Sequence, residues 1–397
     1  MEVIWVGIAF LLGMVANFLG LPPLIGYLGG GFALFSLGVE GGELLGEIAH
    51  YGVIFLLFAL GLRIRLRNMV RPEVLGSSLL QIIISVALLT AIFTLFGITA
   101  GLGLTGAVVL AVLLGVASTV VAAKGLEERR ELEAYHGRVA IGILIIEDII
   151  LIGVLAFAGL TAPSPWALAL VLLPLLRPAL LRILDWGRHE ELHLLYGLLL
   201  ALGGASLFTA VGLSQELGAF VAGILLSGSA QVDEIAERMW SLREGFLVAF
   251  FLDIGLAGFP DASGFAFALA MLLFLPLRVA VFFGLLTRFK LRARTAFFAS
   301  ASLASYSEFA IITGAVAAQA GLIPPTMVVV LAMTVALSFA FGAPFNRAAP
   351  RLYARLKGLL LRFERDVRHP DSQPESLGSA RYLVVGMGRT GWPPTTT

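Results

Sequence analysis

The chain has 397 residues, 59% of them hydrophobic and 13% charged, against about 45–50% apolar and about 25% charged in soluble domains. That composition excludes a soluble globule, and a mean hydropathy of +0.96 leaves room for many bilayer-crossing helices of about 20 residues each. A net charge of +1 gives no broad basic field for nucleic acid, and the lack of cysteine removes disulfides, thiolate metal sites and a thiol nucleophile.

Apolar runs bounded by polar or Gly/Pro breaks predict thirteen spans, over 3–20, 22–37, 48–62, 73–97, 103–123, 138–160, 165–181, 191–212, 215–228, 245–259, 263–287, 295–319 and 324–346. The first run has no basic leader and no small-residue cleavage signature, so it reads as a retained helix. Lys and Arg fall in alternate connections only. Arg63, Arg65, Arg67 and Arg71 follow the third span, and Lys124, Arg129, Arg130 and Arg138 the fifth. Arg177, Arg182 and Arg188 come between the seventh and eighth, Arg238 and Arg243 before the tenth, and Arg288, Lys290, Arg292 and Arg294 after the eleventh. Nine more lie from Arg347 onward. Connections rich in these residues stay cytoplasmic. The expected topology is an N-terminus outside and a C-terminus in the cytoplasm of a bacterial-type inner membrane.

Beyond the last span the composition changes. Arg and Leu alternate at helical spacing to Arg368, HPDSQPESLGSA follows, then RYLVV at 381–385 runs into GMGRTG at 386–391. A short strand opening into G-x-G-x-x-G is the start of a nucleotide-binding unit. Six residues later the sequence stops, so this piece cannot form a nucleotide site by itself. The expected organisation is a membrane domain over 1–350, a cytoplasmic linker over 351–378, a remnant strand and glycine turn over 379–391, and an end created by truncation over 392–397.

Ionisable groups in hydrocarbon are costly and point to function. Within the spans these are Glu147 and Asp148 in the sixth, Asp253 in the tenth, Arg278 in the eleventh and Glu308 in the twelfth. Adjacent helical residues point about 100° apart, so Glu147 and Asp148 divide their tasks. One faces a cavity and the other a neighbouring helix, where a structural pair with Arg278 is one role open to Glu147. Two spans carry polar interruptions, GVASTVV at 115–121 and SLASYSEFA at 302–310. Secondary transporters place such discontinuous helices at corresponding positions of two inverted repeats. Taken alone, Ser118 and Thr119 also fit as packing residues of membrane helices.

Together these features resemble the cation:proton antiporter-2 family, the Kef-type potassium or sodium/proton exchangers. The resemblance rests on LPPLIGYL at 21–28, LLFALGL at 56–62, ASTVVAAK at 117–124, HGRVAIG at 136–142, SEFA at 307–310 and RYLVVGMGR at 381–389. It implies an all-α polytopic fold of inverted repeats with two crossed, broken helices over 115–121 and 303–308. It also implies a monovalent cation or proton at Asp148, a basic partner at Arg278, a homodimer, and a nucleotide-binding regulatory domain continuing past this chain. Glu147 stands where potassium-type members carry Gln and sodium-type members Asp or Asn, which leaves K⁺ and Na⁺ both open. Asp253 replaces a residue commonly uncharged and offers Arg278 a second partner.

The expected function is a secondary active antiporter exchanging K⁺ or Na⁺ for H⁺ across the lipid bilayer by alternating access. A carboxylate in an apolar cavity has its charged form disfavoured, so Asp148 takes up either ion. Hydroxyls of Ser118 and Thr119 and freed carbonyls supply oxygen ligands. Ser307 and Glu308 border the same cavity, with an N-cap role for Glu308 the other choice. A potassium channel would need a filter such as T-V-G-Y-G, which is absent, and a non-transporting scaffold would use the buried charges structurally. The five histidines fall in loops or at span ends and no triad or phosphate loop with lysine occurs, so an enzyme and a resident cofactor are not expected.

Overall fold

The computed structural model describes residues 2–39, 41–63, 71–132, 134–157, 164–186, 190–228 and 230–365. The linker from 366, the strand and glycine turn and the end of the chain lie outside these residues, as do Arg65 and Arg67. The described chain is helical throughout. Its helices are α1 Glu2–Phe18, α2 Pro23–Ser36, α3 Glu43–Arg63, α4 Pro72–Leu95, α5 Ile98–Gly115, α6 Thr119–Glu128 and α7 Tyr135–Phe157. A 3₁₀ run Pro165–Leu176 leads into α8 Arg177–Trp186, followed by α9 Glu190–Ala210, α10 Gln215–Leu226, α11 Ala230–Leu256 and α12 Ala262–Arg288. The last are α13 Ala293–Ser302, α14 Phe309–Gln319 and α15 Thr326–Leu360.

Each predicted apolar run falls on a helix or a pair of helices. Seven helical stretches among the described residues are long and apolar enough to cross a bilayer, and five shorter apolar helices accompany them. The runs at 103–123 and 295–319 split at irregular segments, into α5 with α6 and α13 with α14, and the run at 165–181 divides between the 3₁₀ run and α8. Two helices outlast their runs. α11 starts fifteen residues before its apolar part at 245, and α15 passes position 350 to reach Leu360, because a helix leaving the membrane keeps its internal hydrogen bonds in water. Lipid lets a helix turn its apolar side outward. The inner face of α4 buries Ser77, Ser78, Gln81 and Ser85, whereas Leu79, Leu80 and Ile83 lie on its exposed side.

The helices sort into two sets. One contains α1 to α3 with α9 to α11, the other α4 to α7 with α12 to α15. Glycines let the first set's backbones touch. Gly31 of α2 meets Gly255 of α11, Gly61 of α3 meets Gly223 of α10, Gly26 of α2 meets Leu12 of α1, and Gly218 of α10 meets Gly204 of α9. Small residues at such crossings replace the hydrophobic drive that lipid removes. The contacts repeat. An offset of 192 residues carries Leu12 to Gly204, Gly26 to Gly218 and Gly31 to Gly223, so α1–α2 and α9–α10 are two copies of one unit.

The loop after α6 ties the second set together. Glu131 Oε2 accepts from Arg129 Nε at 2.7 Å and lies 3.1 Å from His136 Nε2, and Arg129 Nη1 donates to the Asn346 carbonyl of α15 at 2.7 Å. Burial pushes the His136 imidazole below its ordinary range, with Arg129 and Arg294 acting the same way and Glu131 opposing. Burial pulls the Glu131 carboxyl upward, but its bonds to Arg129 and His136 outweigh that and leave it below the usual carboxylate range.

Two outcomes are expected. A side chain on Gly61 would run into the Phe220 carbonyl, so Gly61→Leu costs about 1–3 kcal/mol by overpacking. Gly29→Ala, with open space around it, serves as the control in thermal unfolding in detergent. The depressed His136 contributes stability that is present above about pH 6.5 and is lost as the pH falls through its folded value, because the unfolded chain then binds the proton more readily. The Tm therefore drops from pH 7.5 to 5.5, and the drop is smaller in His136→Gln.

Candidate functional site

Breaking a helix frees carbonyls at one end and N–H groups at the other. Here two breaks satisfy each other. The chain leaves α5 at Gly115, runs extended through Val116, and re-enters helix at Thr119 with Ser118 as N-cap, whose Oγ accepts from Val121 N at 3.2 Å. Between α13 and α14 a second irregular segment lies antiparallel to the first. Ala117 and Tyr306 form a β-bridge, and Ser307 N donates to the Val116 carbonyl at 3.1 Å. The second segment is anchored from outside. Tyr306 N donates to Ser338 Oγ of α15 at 3.0 Å and its hydroxyl to the Met271 carbonyl of α12 at 2.7 Å.

Arg278, fully buried on α12, spans the crossing. Its Nη1 donates to the Val116 carbonyl at 3.0 Å and reaches the Ser305 carbonyl at 3.5 Å, while Nη2 lies 3.3 Å from Glu147 Oε2. The same carboxylate oxygen accepts the Ala117 N–H at 2.7 Å. Glu147 Oε2 is thereby held between two donors. Asp148, one residue on, projects to the other side, where Thr119 Oγ1 donates to its Oδ2 at 3.0 Å. Its Oδ1 is buried with no hydrogen-bond partner. Ser118 Oγ donates to Glu308 Oε2 at 2.6 Å.

Asp148, Glu147, Ser118, Thr119, Ser307, Glu308 and Arg278 thus meet at one crossing. Asp253 does not. It stands on α11 beside Gly41, in the other set of helices, and Arg278 finds Glu147 instead. Glu308 occupies the N-cap position of α14 without capping it; Ser307 Oγ takes the Phe309 N–H at 3.1 Å. Residues that motif reading missed are Gln81, whose Nε2 donates to the Gly115 carbonyl at 3.3 Å, and Ser305. The signal for Gln81 was available: Ser77, Ser78, Gln81 and Ser85 fall on one helical face of an otherwise apolar run.

Chemically, the crossing sets one guanidinium against three carboxyls in a water-poor interior, where uncompensated charge is expensive. A proton or a monovalent cation is the kind of charge that would restore the balance. Among the described residues no cluster of three His, Cys, Asp or Glu is arranged to hold a metal ion.

Residues 6–347 match the family model described as sodium/hydrogen exchanger, transmembrane. The chain is 33% identical over 358 residues to the putative cation/proton antiporter YbaL of Escherichia coli K12, covering 80% of this chain and 62% of that protein. It is 28% identical over 415 aligned positions to the glutathione-regulated potassium-efflux system protein KefC of Escherichia coli, covering 98% of this chain and 65% of KefC. It therefore spans less than two thirds of the length of either relative. The sodium proton antiporter MjNhaP1 from Methanocaldococcus jannaschii shares the fold at a TM-score of 0.56, with 15% identity, 91% of this chain and 96% of that one covered.

Removing one member of a buried ion pair leaves the other uncompensated, at about 3–5 kcal/mol. Arg278→Met is expected to destabilise by that order in thermal unfolding. Adding Glu147→Gln should recover only part of the loss, because the Val116 and Ser305 carbonyls still lack their donor.

Proposed function

The chain belongs to the sodium/hydrogen exchanger family of transmembrane proteins, and from that premise we propose that it exchanges a monovalent alkali cation, K⁺ or Na⁺, for H⁺ at Asp148. The observation carrying this reading is the free carboxylate oxygen of Asp148 at the crossing of two interrupted helices. The names of YbaL and KefC point to the same chemistry.

Proton and cation compete for one negative site. Either one neutralises it, and a neutral site can turn from one side of the bilayer to the other, whereas the empty anion is held back by the cost of charge in hydrocarbon. Coupling follows without further machinery. The hydroxyls of Thr119 and Ser118 and the carbonyls freed at the breaks replace part of the cation's hydration shell. Glu308, joined to Ser118, adds negative potential on the same side. Arg278 stays with Glu147 and the two breaks throughout the cycle, so one proton moves per cation and exchange is electroneutral.

The protein works as an integral protein of the inner membrane with its C-terminus in the cytoplasm, as a homodimer. In the longer protein, a nucleotide-binding domain beginning at the glycine turn of 386–391 regulates it, in keeping with the greater length of the relatives.

In proteoliposomes carrying a pH gradient, the unmodified protein is expected to exchange K⁺ or Na⁺ at a rate indifferent to imposed voltage. Asp148→Asn should reduce exchange at least about 100-fold while leaving the unfolding temperature near that of the parent, a loss within what removal of one essential charged group produces. Full exchange in that variant would eliminate Asp148 as the site.

A further inference from the structure

Buried polar atoms in folded proteins find partners, and those that do not call for an explanation. Among the described residues, six buried side-chain oxygens make no hydrogen bond, and four belong to the crossing: Gln81 Oε1, Glu147 Oε1, Asp148 Oδ1 and Ser305 Oγ. Thr90 Oγ1 and Asn346 Oδ1 are the other two. Such a concentration of free oxygens is what a cation site presents before the cation arrives.

Gln81 and Ser305 are the members whose side chains have no role in the exchange just described, and of these Gln81 touches the first break directly. It is fully buried, and its amide orientation is determined by its neighbours. A backbone carbonyl only accepts, so the atom 3.3 Å from the Gly115 oxygen is the nitrogen. The same Nε2 lies 2.8 Å from Ser85 Oγ. Both contacts fall on the nitrogen, and Oε1 is left over. The segment it touches is the one that carries the rest of the site. From Gly115 to Thr119, five successive residues are each engaged by a different side chain: Gln81 at the Gly115 carbonyl, Arg278 at Val116, Glu147 at the Ala117 N–H, Glu308 at Ser118 and Asp148 at Thr119. Gln81 and Asp148 are thereby tied to the two ends of one short break.

We propose that Gln81 is a specificity-determining ligand of the transported cation, lending its amide carbonyl as a neutral oxygen beside the Asp148 carboxylate. The proposal rests on the antiport reading and deepens it. Proton and alkali ion differ in what they ask of a site. A proton needs one carboxylate oxygen, whereas K⁺ or Na⁺ needs several oxygens to replace lost water. A neutral oxygen therefore strengthens cation binding while leaving proton binding unaided, and it biases the competition at Asp148 toward the cation.

The test uses the full chain in proteoliposomes, with K⁺ and Na⁺ supplied separately, and compares Gln81→Leu with Gln81→Glu. Both remove the N–H donor to Gly115, but only Gln81→Glu keeps an oxygen. Gln81→Leu is expected to raise the cation KM about tenfold and to move the activity profile at fixed cation toward higher pH, because protons then compete better. Gln81→Glu is expected to hold the KM at or below the parent value and to change the preference between K⁺ and Na⁺. Equal damage in the two variants, or an unchanged KM in both, would show that Gln81 only props the Gly115 carbonyl and would overturn the proposal. If Gln81→Leu does not fold, Gln81→Glu decides alone: a tenfold rise in its KM overturns it. Failure of the unmodified protein to exchange either cation would remove the antiport reading itself, and this inference with it.

Discussion

One guanidinium holds the centre of this protein together. Arg278 reaches a carbonyl on each of the two broken helices and a carboxylate on a third helix. Two interrupted helices in a bilayer interior expose backbone groups that no water is present to satisfy, and the short antiparallel bridge between Ala117 and Tyr306 disposes of only some of them. A buried ion pair of this kind is weak evidence for stability, because desolvation consumes most of its attraction. Its value here is geometric: it determines where the segments cross and therefore where Thr119 and Asp148 meet.

The pair Glu147–Asp148 shows how adjacent positions on a helix become unequal. Turning about 100° from one residue to the next places Glu147 against Arg278 and the Ala117 N–H, and Asp148 against a single hydroxyl. The first carboxylate is saturated on one oxygen by two donors. The second retains an oxygen that no protein group satisfies. Two carboxylates one peptide bond apart are thereby satisfied to different degrees.

Around the crossing, the two sets of helices differ in construction. The set containing α1 to α3 and α9 to α11 is joined by glycine contacts in which backbones touch directly, and its two halves repeat with a fixed spacing. The set carrying the site has such contacts too, Gly106 against the Leu322 carbonyl and Gly342 against the Ala304 carbonyl, and adds side-chain ties, including the Arg129–Glu131–His136 cluster and the anchoring of Tyr306 by α12 and α15. Backbone-to-backbone crossings admit little sliding, since any shift brings a carbonyl against a neighbour. Side-chain ties tolerate rearrangement more readily.

The linear sequence settled whatever depends on composition and local period. Apolar runs of bilayer length were readable as helices, and charged residues inside spans named Glu147, Asp148, Arg278 and Glu308 as the group to watch. Polar interruptions at 115–121 and 302–310 marked both breaks. What distance along the chain could not determine was which partner each charge would choose. Asp253 and Glu147 were equal candidates for Arg278 until packing put Asp253 in the other set of helices. Glu308 stood at a cap position by sequence, yet its side chain turned to Ser118, 190 residues away. Gln81 looks like an ordinary membrane-helix residue until the fold brings it to the first break. Hydrophobicity and helical period are properties of neighbouring residues and survive in the one-dimensional record. Hydrogen-bond partnership across a crossing depends on which helices come together, and only the packed structure decides that.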